Sequence, residues 1–286
     1  MERAVVTDSL AGVHVGLLER RHPPGHRGAL VDTLVPELRS RGALVDVVHA
    51  EEGWHRLDER PRWDVVVLKS GSAAALHLAA AAEAWGVPSV NGSHATRLAQ
   101  DKLASSLMLQ DAGLPIAPSH IVWLDGPAGQ GSVPSGLEAL SGEKLLVKAA
   151  RGSQGVGLWT AEAGELPSLL PSLSPGPYLV MGWVPHEGDD LKVFVAGTWM
   201  GAIERPFPAK TLEEKRGRLA AVPPGVSEIV RAAGDTLGLV CYGCDLVVGP
   251  AGWTIVDVNA FPGYKGVDAA AAISAVIAAA AAGRDS

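Results

Sequence analysis

The chain is poor in cysteine: Cys241 and Cys244 are the only two in 286 residues. Their CxxC spacing is compatible with a redox pair or half a zinc site. No second CxxC accompanies it. Two small buried hydrophobes leading into a strand are the better reading. The chain also has no excess of basic residues. Its formal net charge of −7 argues against a general nucleic-acid binder. A few lysines converging on one site could still take up phosphate. The start, MERAVVTDSL, lacks the apolar core of a secretory signal. The longest apolar run, Ala269 to Ala282, is mostly alanine and too short to span a bilayer. It reads as a C-terminal helix. These absences predict a cytoplasmic protein with no membrane or nucleic-acid partner.

What is present is a globular chain, 47% hydrophobic and long enough for two or three small domains. The first ninety residues alternate strands (GVHVGLL, ALVDVVHA, WDVVVLKSG, VPSVNG) with helices (GALVDTLVPELRSRG, SAAALHLAAAAEAWG). That alternation predicts a small parallel sheet covered by helices. A helix should follow, with Leu98, Leu103, Leu107 and Met108 on one side and Gly113 as its C-cap. A loose Gly/Ser/Pro-rich stretch covers residues 126–142. KLLVKAARGSQGVGLWTAE reads as strand, glycine loop, strand. DLKVFVAGTWMGAIERP reads as a hairpin turning at Gly197. The fold class is α/β (α+β), with boundaries near 93 and 180. The expected units are an N-terminal α/β domain (1–93), a lid with the glycine loop (94–180) and a C-terminal unit with a metal site (181–286).

Three side chains near the C-terminus carry the strongest chemical signal. Asp257 and Asn259 lie two apart on one apolar strand and therefore share a face. A hairpin through Gly249–Gly252 can bring Asp245 beside them. Three hard oxygen ligands in one place suit Mg²⁺, with Mn²⁺ as a substitute. Lys148 ends a buried strand, where a charge needs either a phosphate partner or a rim to which its stem can snorkel. Lys102 ends the first turn of a helix. Gly152, Gly155 and Gly157, with Ser153 and Gln154 between them, form a loop whose backbone could approach phosphate oxygens. That loop is neither a P-loop nor a dinucleotide fingerprint. Asp190 and Lys192 share a face with Phe194. His186 precedes them. Arg205 ends the second hairpin strand, and a basic cluster of Lys210, Lys215, Arg216 and Arg218 follows it.

The order of these motifs resembles that of an ATP-grasp enzyme over about 91–267: DK on a helix, VK on a strand, a glycine loop, a hinge strand, D-L-K-V-F-V-x-G, then D…D-x-N-x-x-P-G. VKAARGSQGVGLW and DVNAFPG resemble RimK-type glutamate ligases. The spacing of His186, Lys192 and Arg205-Pro206, with FPGYKGV, resembles inositol trisphosphate 5/6-kinases. The resemblance implies ATP and Mg²⁺ as cofactors. Lys102 and Lys148 would hold the phosphates, and the hinge Met181, Gly182, Trp183 and Val184 the adenine. The loop Gly152–Gly157 would close over the phosphates, with Asp190 in the same nucleotide site. Asp245, Asp257 and Asn259 would hold the metal, and Lys192, Arg205 and His186 would serve the acceptor. It further implies phosphoryl transfer to a carboxylate followed by attack of an amine, with a hydroxyl kinase or a catalytically silent nucleotide-binding module as rival readings. The acceptor would be a small molecule or peptide. His14, His22, His26 and Arg27 are the polar residues of the N-terminal region open to an acceptor role, and an oligomer is left open.

Overall fold

The computed structural model describes residues 9–21, 29–125, 144–150, 157–186, 188–207, 209 and 211–283. A parallel sheet comes first, built from β1 (His14–Leu18), β2 (Leu44–Val48), β3 (Val65–Leu68) and β4 (Ser89–Val90) in the order β2-β1-β3-β4. Helices α1 (Ala29–Ser40) and α2 (Ala73–Ala84) connect its strands. β3 reads Val-Val-Val-Leu and is buried along its whole length. An uninterrupted apolar run of this kind marks a strand covered on both faces. Val66 and Leu68 pack with α2, while Val65 and Val67 join the core on the opposite face.

Two further sheets are antiparallel. The first, in the order β5-β8-β6-β7, contains β5 (Ser119–Leu124), β6 (Lys144–Ala149), β7 (Leu158–Glu162) and β8 (Gly176–Gly182). The short helix α5 (Leu166–Leu169), flanked by 3₁₀ turns and started by Pro167, covers it. The second, in the order β11-β10-β9-β12-β13, contains β9 (Asp189–Ala196), β10 (Trp199–Pro206), β11 (Arg218–Ala220), β12 (Cys241–Gly249) and β13 (Gly252–Ala260). α6 (Leu212–Arg216), α7 (Val226–Leu237) and α8 (Ala270–Ala282) complete it. α7 packs an amphipathic face of Val226, Val230, Ala233 and Leu237 on the sheet. Gly238 stops it in the left-handed conformation, which glycine adopts without cost.

The parallel sheet and the β9–β13 sheet share one core. Val15, Leu17, Leu34, Val65 and Val67 lie in the same cluster as Phe194, Ile203, Phe261, Tyr264, Ile273 and Ile277. Each fully buried isoleucine of α8 contributes about 1.5–3 kcal/mol by leaving water. The β5–β8 sheet has its own core of Val122, Leu145, Val147, Leu166, Leu170 and Val180.

The single helix expected after residue 93 is two helices, α3 (Ser93–Gln100) and α4 (Lys102–Asp111). Asp101 ends the first and caps the second, with Oδ1 accepting from the backbone of Leu103 and Ala104. The expected apolar face is therefore corrected. Leu107 and Met108 are 57% and 38% exposed, and the buried positions are Ser93, Ala95, Thr96 and Ala99 in α3 and Lys102, Ser105 and Leu109 in α4. The break resets the helical phase. Lys102 accordingly opens α4 instead of closing a first turn.

Asn91 ties the parallel sheet to the other body. Fully buried, it donates from Nδ2 to Cys241 O at 2.7 Å, and its Oδ1 accepts from the backbone of Val240 and Cys241. Asn91→Ala would strand two backbone donors and one acceptor. We expect a loss of about 2–4 kcal/mol in urea denaturation. A loss below about 0.5 kcal/mol would show that the clamp adds nothing to stability.

Candidate active site

The site grows from strand register. In β12, Asp245 lies opposite Lys192 of β9 on one side and Asp257 of β13 on the other. Asp245 lies in mid-strand. The ladder slips after Asp245, so Leu246 pairs with Ile255 and Val256 is the extra residue. Such a bulge kinks a strand and re-aims its groups. Here the Val256 carbonyl accepts from Lys148 Nζ at 2.6 Å. Lys148 lies near the end of β6, so it links the β5–β8 sheet to the carboxylate strand.

Lys102 reaches the same strand from the capped start of α4. Its Nζ lies 2.6 Å from Asp257 Oδ1 and donates to Val258 O at 3.1 Å and Ala99 O at 3.4 Å. Lys192 is ion-paired to Asp245. Asn259 Nδ2 donates to Asp257 Oδ2 at 3.0 Å, which leaves the amide oxygen to face elsewhere. Burial by itself would raise the Asp257 carboxyl. The Lys102 and Lys148 ammonium groups outweigh it and bring it down to about 2, so Asp257 is ionised at neutral pH. Burial pulls Lys148 below the usual lysine range, opposed by Asp257 and reinforced by Lys102.

Behind this row lies a buried fork. Arg205 of β10 is the register partner of Asp190 of β9. It donates to Asp190 through Nε at 2.8 Å and Nη2 at 2.9 Å, and its Nη2 reaches Asp245 Oδ1 at 3.2 Å. Asp190 is 0% exposed. Burial would lower the Arg205 pKa, but the Asp245 and Asp190 carboxylates more than reverse it and hold the guanidinium charged. Asp190, which the sequence reading assigned to the nucleotide, is thus occupied by Arg205.

Beside the charges is an apolar cavity lined by both antiparallel sheets, with Ala117, Leu146, Met181, Gly182, Trp183, Val184, Ile255 and Val256 among its walls. The hinge residues expected to meet adenine all face it. His186 lines this cavity too. It stacks on Trp183 at 5.2 Å, meets Phe207 edge-on at 5.6 Å, and its Nδ1 lies 2.8 Å from Val184 O. The structure therefore brings His186 to the hinge, not to the Lys192–Arg205 fork where an acceptor residue was expected. Lys144 Nζ sits 4.2 Å over the Trp183 ring, a contact that sequence spacing did not reveal.

Gly152, Ser153, Gln154 and Gly155 lie outside the described residues, as do Lys210, His22, His26, Arg27 and the whole 126–142 stretch. Gly157 is described. Its φ of +80° and a Cβ position 2.9 Å from Ala149 Cβ both require glycine. His14 faces Asp46 at 3.0 Å, away from the carboxylate strand. Cys241 and Cys244 are buried in β12. Burial pushes the Cys241 thiol up to about 12 and Cys244 higher still, so neither is a thiolate at neutral pH.

The donor set fits a hard divalent ion. Asp245 and Asp257 are register partners, Asn259 lies two residues along the same strand from Asp257, and Asp257 stays ionised. Among the described residues no group of three or more His, Cys, Asp or Glu is arranged to hold a metal, so the amide of Asn259 would have to be the third ligand.

No protein-family profile matches the chain. The sequence is 28% identical over 256 residues to ribosomal protein bS6–L-glutamate ligase of Salmonella schwarzengrund, covering 85% of this chain and 82% of that protein. Among solved structures, the RimK domain ATP-grasp protein of Sphaerobacter thermophilus superposes with a TM-score of 0.71 at 19% identity, over 93% of this chain and 99% of that one. D-alanine–D-alanine ligase of Bacillus anthracis, complexed with ATP, gives 0.72 at 15% identity, over 96% and 99%. The ATP-grasp ligase PsnB, complexed with a minimal precursor, gives 0.69 at 19%, over 94% and 99%. The protein has the ATP-grasp fold. Its sequence similarity is to the ribosomal protein bS6–L-glutamate ligase. The expected likeness to inositol trisphosphate 5/6-kinases has no counterpart among these relatives.

Proposed function

We propose that this protein is an ATP- and Mg²⁺-dependent carboxylate–amine ligase that forms an amide or peptide bond through an acyl phosphate. The observation that carries the reading is the pair Asp245–Asp257, cross-strand partners each held by a lysine from a different element, at the edge of an apolar cavity. Those relatives whose names state an activity are ligases, which favours amide formation over the kinase alternative.

Adenine would enter at the narrow apolar cavity, where Met181–Val184 form the wall. Lys102 and Lys148 would take the phosphates. Asp245, Asp257 and Asn259 would hold Mg²⁺, which when bound would neutralise charge on the transferring phosphoryl group. A carboxylate oxygen of the acid substrate attacks the γ-phosphorus and ADP leaves. The amine nitrogen then attacks the acyl carbon, loses a proton and expels inorganic phosphate. Lys192 and Arg205 would stabilise the negative charge that develops between acid and phosphate. Sequestering the site would protect the acyl phosphate from water.

The test is product analysis. With ATP, Mg²⁺, pooled amino acids and short peptides, a ligase yields ADP and inorganic phosphate in equal amounts. ADP without free phosphate would replace this reading with a kinase. Lys192→Ala is expected to lower turnover about 10²-fold while the affinity for an ATP analogue moves less than about threefold. Equal losses in both would remove Lys192 from the acceptor side.

A further inference from the structure

The parallel sheet and the β9–β13 sheet meet through an apolar face, and at one end of that face β1, β3, β9 and β10 turn charged. In β1 the inward residues are Val15 and Leu17, and the next residue with the same side-chain direction is Glu19. In β3 they are Val65 and Val67, and the next is Lys69. Leu17 pairs with Val67 and Leu18 with Leu68, so continuing the register puts Glu19 beside Lys69. The opposing sheet repeats the pattern. Phe194 of β9 is in the shared core and Lys192 is two residues away; Ile203 of β10 is in the core and Arg205 is two residues on. Tyr264 is in the core as well, and Lys265 follows it. Gly266 brings that turn against α6, since a Cβ there would lie 2.1 Å from Arg216 O.

Lys265 lies within electrostatic reach of Lys215, Arg216, Lys69 and Arg205, so these charges cluster at the carboxyl edge of a parallel sheet, where open α/β sheets bind ligands. The cluster is cationic, and Glu19 is the acid beside Lys69. Burial lowers Lys69 from the usual lysine range, opposed by Glu19. Burial also lowers Lys265, and Lys215, Arg216, Lys69 and Arg205 add to it. Positive groups crowded this way are relieved by an anion.

We propose that Lys69 and Lys265 form an anion subsite that reads a carboxylate of the acceptor, with Glu19 as the positioning residue that holds Lys69. The inference rests on the ligase reading and adds specificity-determining residues to it. A lysine placed by the N-terminal sheet lets that sheet select the acceptor without touching the nucleotide.

The experiment measures ADP release with ATP and Mg²⁺ against a pool of the twenty L-amino acids plus a glutamate-ending tetrapeptide. Lys69→Met is expected to raise the half-saturating pool concentration at least tenfold, with the KM for ATP within twofold of the parent. Lys69→Arg should recover most of the loss. Lys265→Met, at a half-buried turn, should shift the same constant in the same direction and provides a readout if Lys69→Met fails to fold. An unchanged acceptor constant in both methionine variants, or an equal shift in the constant for ATP, overturns the subsite alone. Parent protein that binds the ATP analogue AMPPNP but releases no ADP with the pool overturns the ligase reading and this inference with it.

Discussion

Asp257→Ala is expected to lower ADP formation by about 10³-fold or more. Asp257 is the carboxylate that Lys102 grips at 2.6 Å, and it belongs to the proposed metal set. Losing one ligand of three should remove most of the charge stabilisation an ion gives to phosphoryl transfer. Nucleotide binding should respond differently. The variant leaves the Lys102 and Lys148 ammonium groups without their nearest counter-charge, so AMPPNP without Mg²⁺ should bind as well as to the parent, or better. The dependence of its affinity on Mg²⁺ should shrink. Titrations with and without Mg²⁺ read this directly. Near-normal turnover, or an undiminished Mg²⁺ dependence, would remove Asp257 from the metal site.

Arg205→Met should have the largest effect on stability. The guanidinium forks onto Asp190 and touches Asp245. Its removal leaves Asp190, fully buried, with an uncompensated charge. Breaking a buried pair from one side typically costs about 3–5 kcal/mol. Replacing both partners, as in Asp190→Leu with Arg205→Met, should recover part of that loss, because the desolvated charge goes too. Denaturant midpoints of the three variants and the parent give the coupling. A double variant at least as damaged as the sum of the singles would mean the pair is not a unit.

Much of this site was legible from strand periodicity. Asp257 and Asn259 two apart, and Lys192 two from Phe194, could be placed on shared faces because a strand alternates with period two. The glycine turns at 197 and 249–252 gave the hairpins that align Asp245 with its neighbours. Three things were not legible. The bulge at Val256 depends on pairing across strands and leaves no mark in the local pattern. Asp101 as an N-cap was overlooked because the apolar spacing looked continuous through it, which carried Leu107 and Met108 to the wrong face. His186 looked like an acceptor residue by its spacing from Lys192, yet Trp183 and Phe207 decide where its ring lies. Lys69 carried a signal that spacing alone did not single out: a lysine follows the apolar run VVVL of β3 as Lys148 follows the apolar run of β6, and a charge at the end of a buried run needs a partner in either place.

The division of cores has a consequence for how nucleotide would be held. The parallel sheet and the β9–β13 sheet are welded by one apolar cluster, whereas the β5–β8 sheet keeps a separate interior. The narrow apolar cavity proposed to meet adenine lies on the seam, with Leu146 and Met181 on one bank and Ile255 and Val256 on the other. A flat ring lodged there would act as mortar between the two bodies. Occupancy and clasping would then be a single thermodynamic event, and a nucleotide with a smaller base would forfeit closure along with contacts.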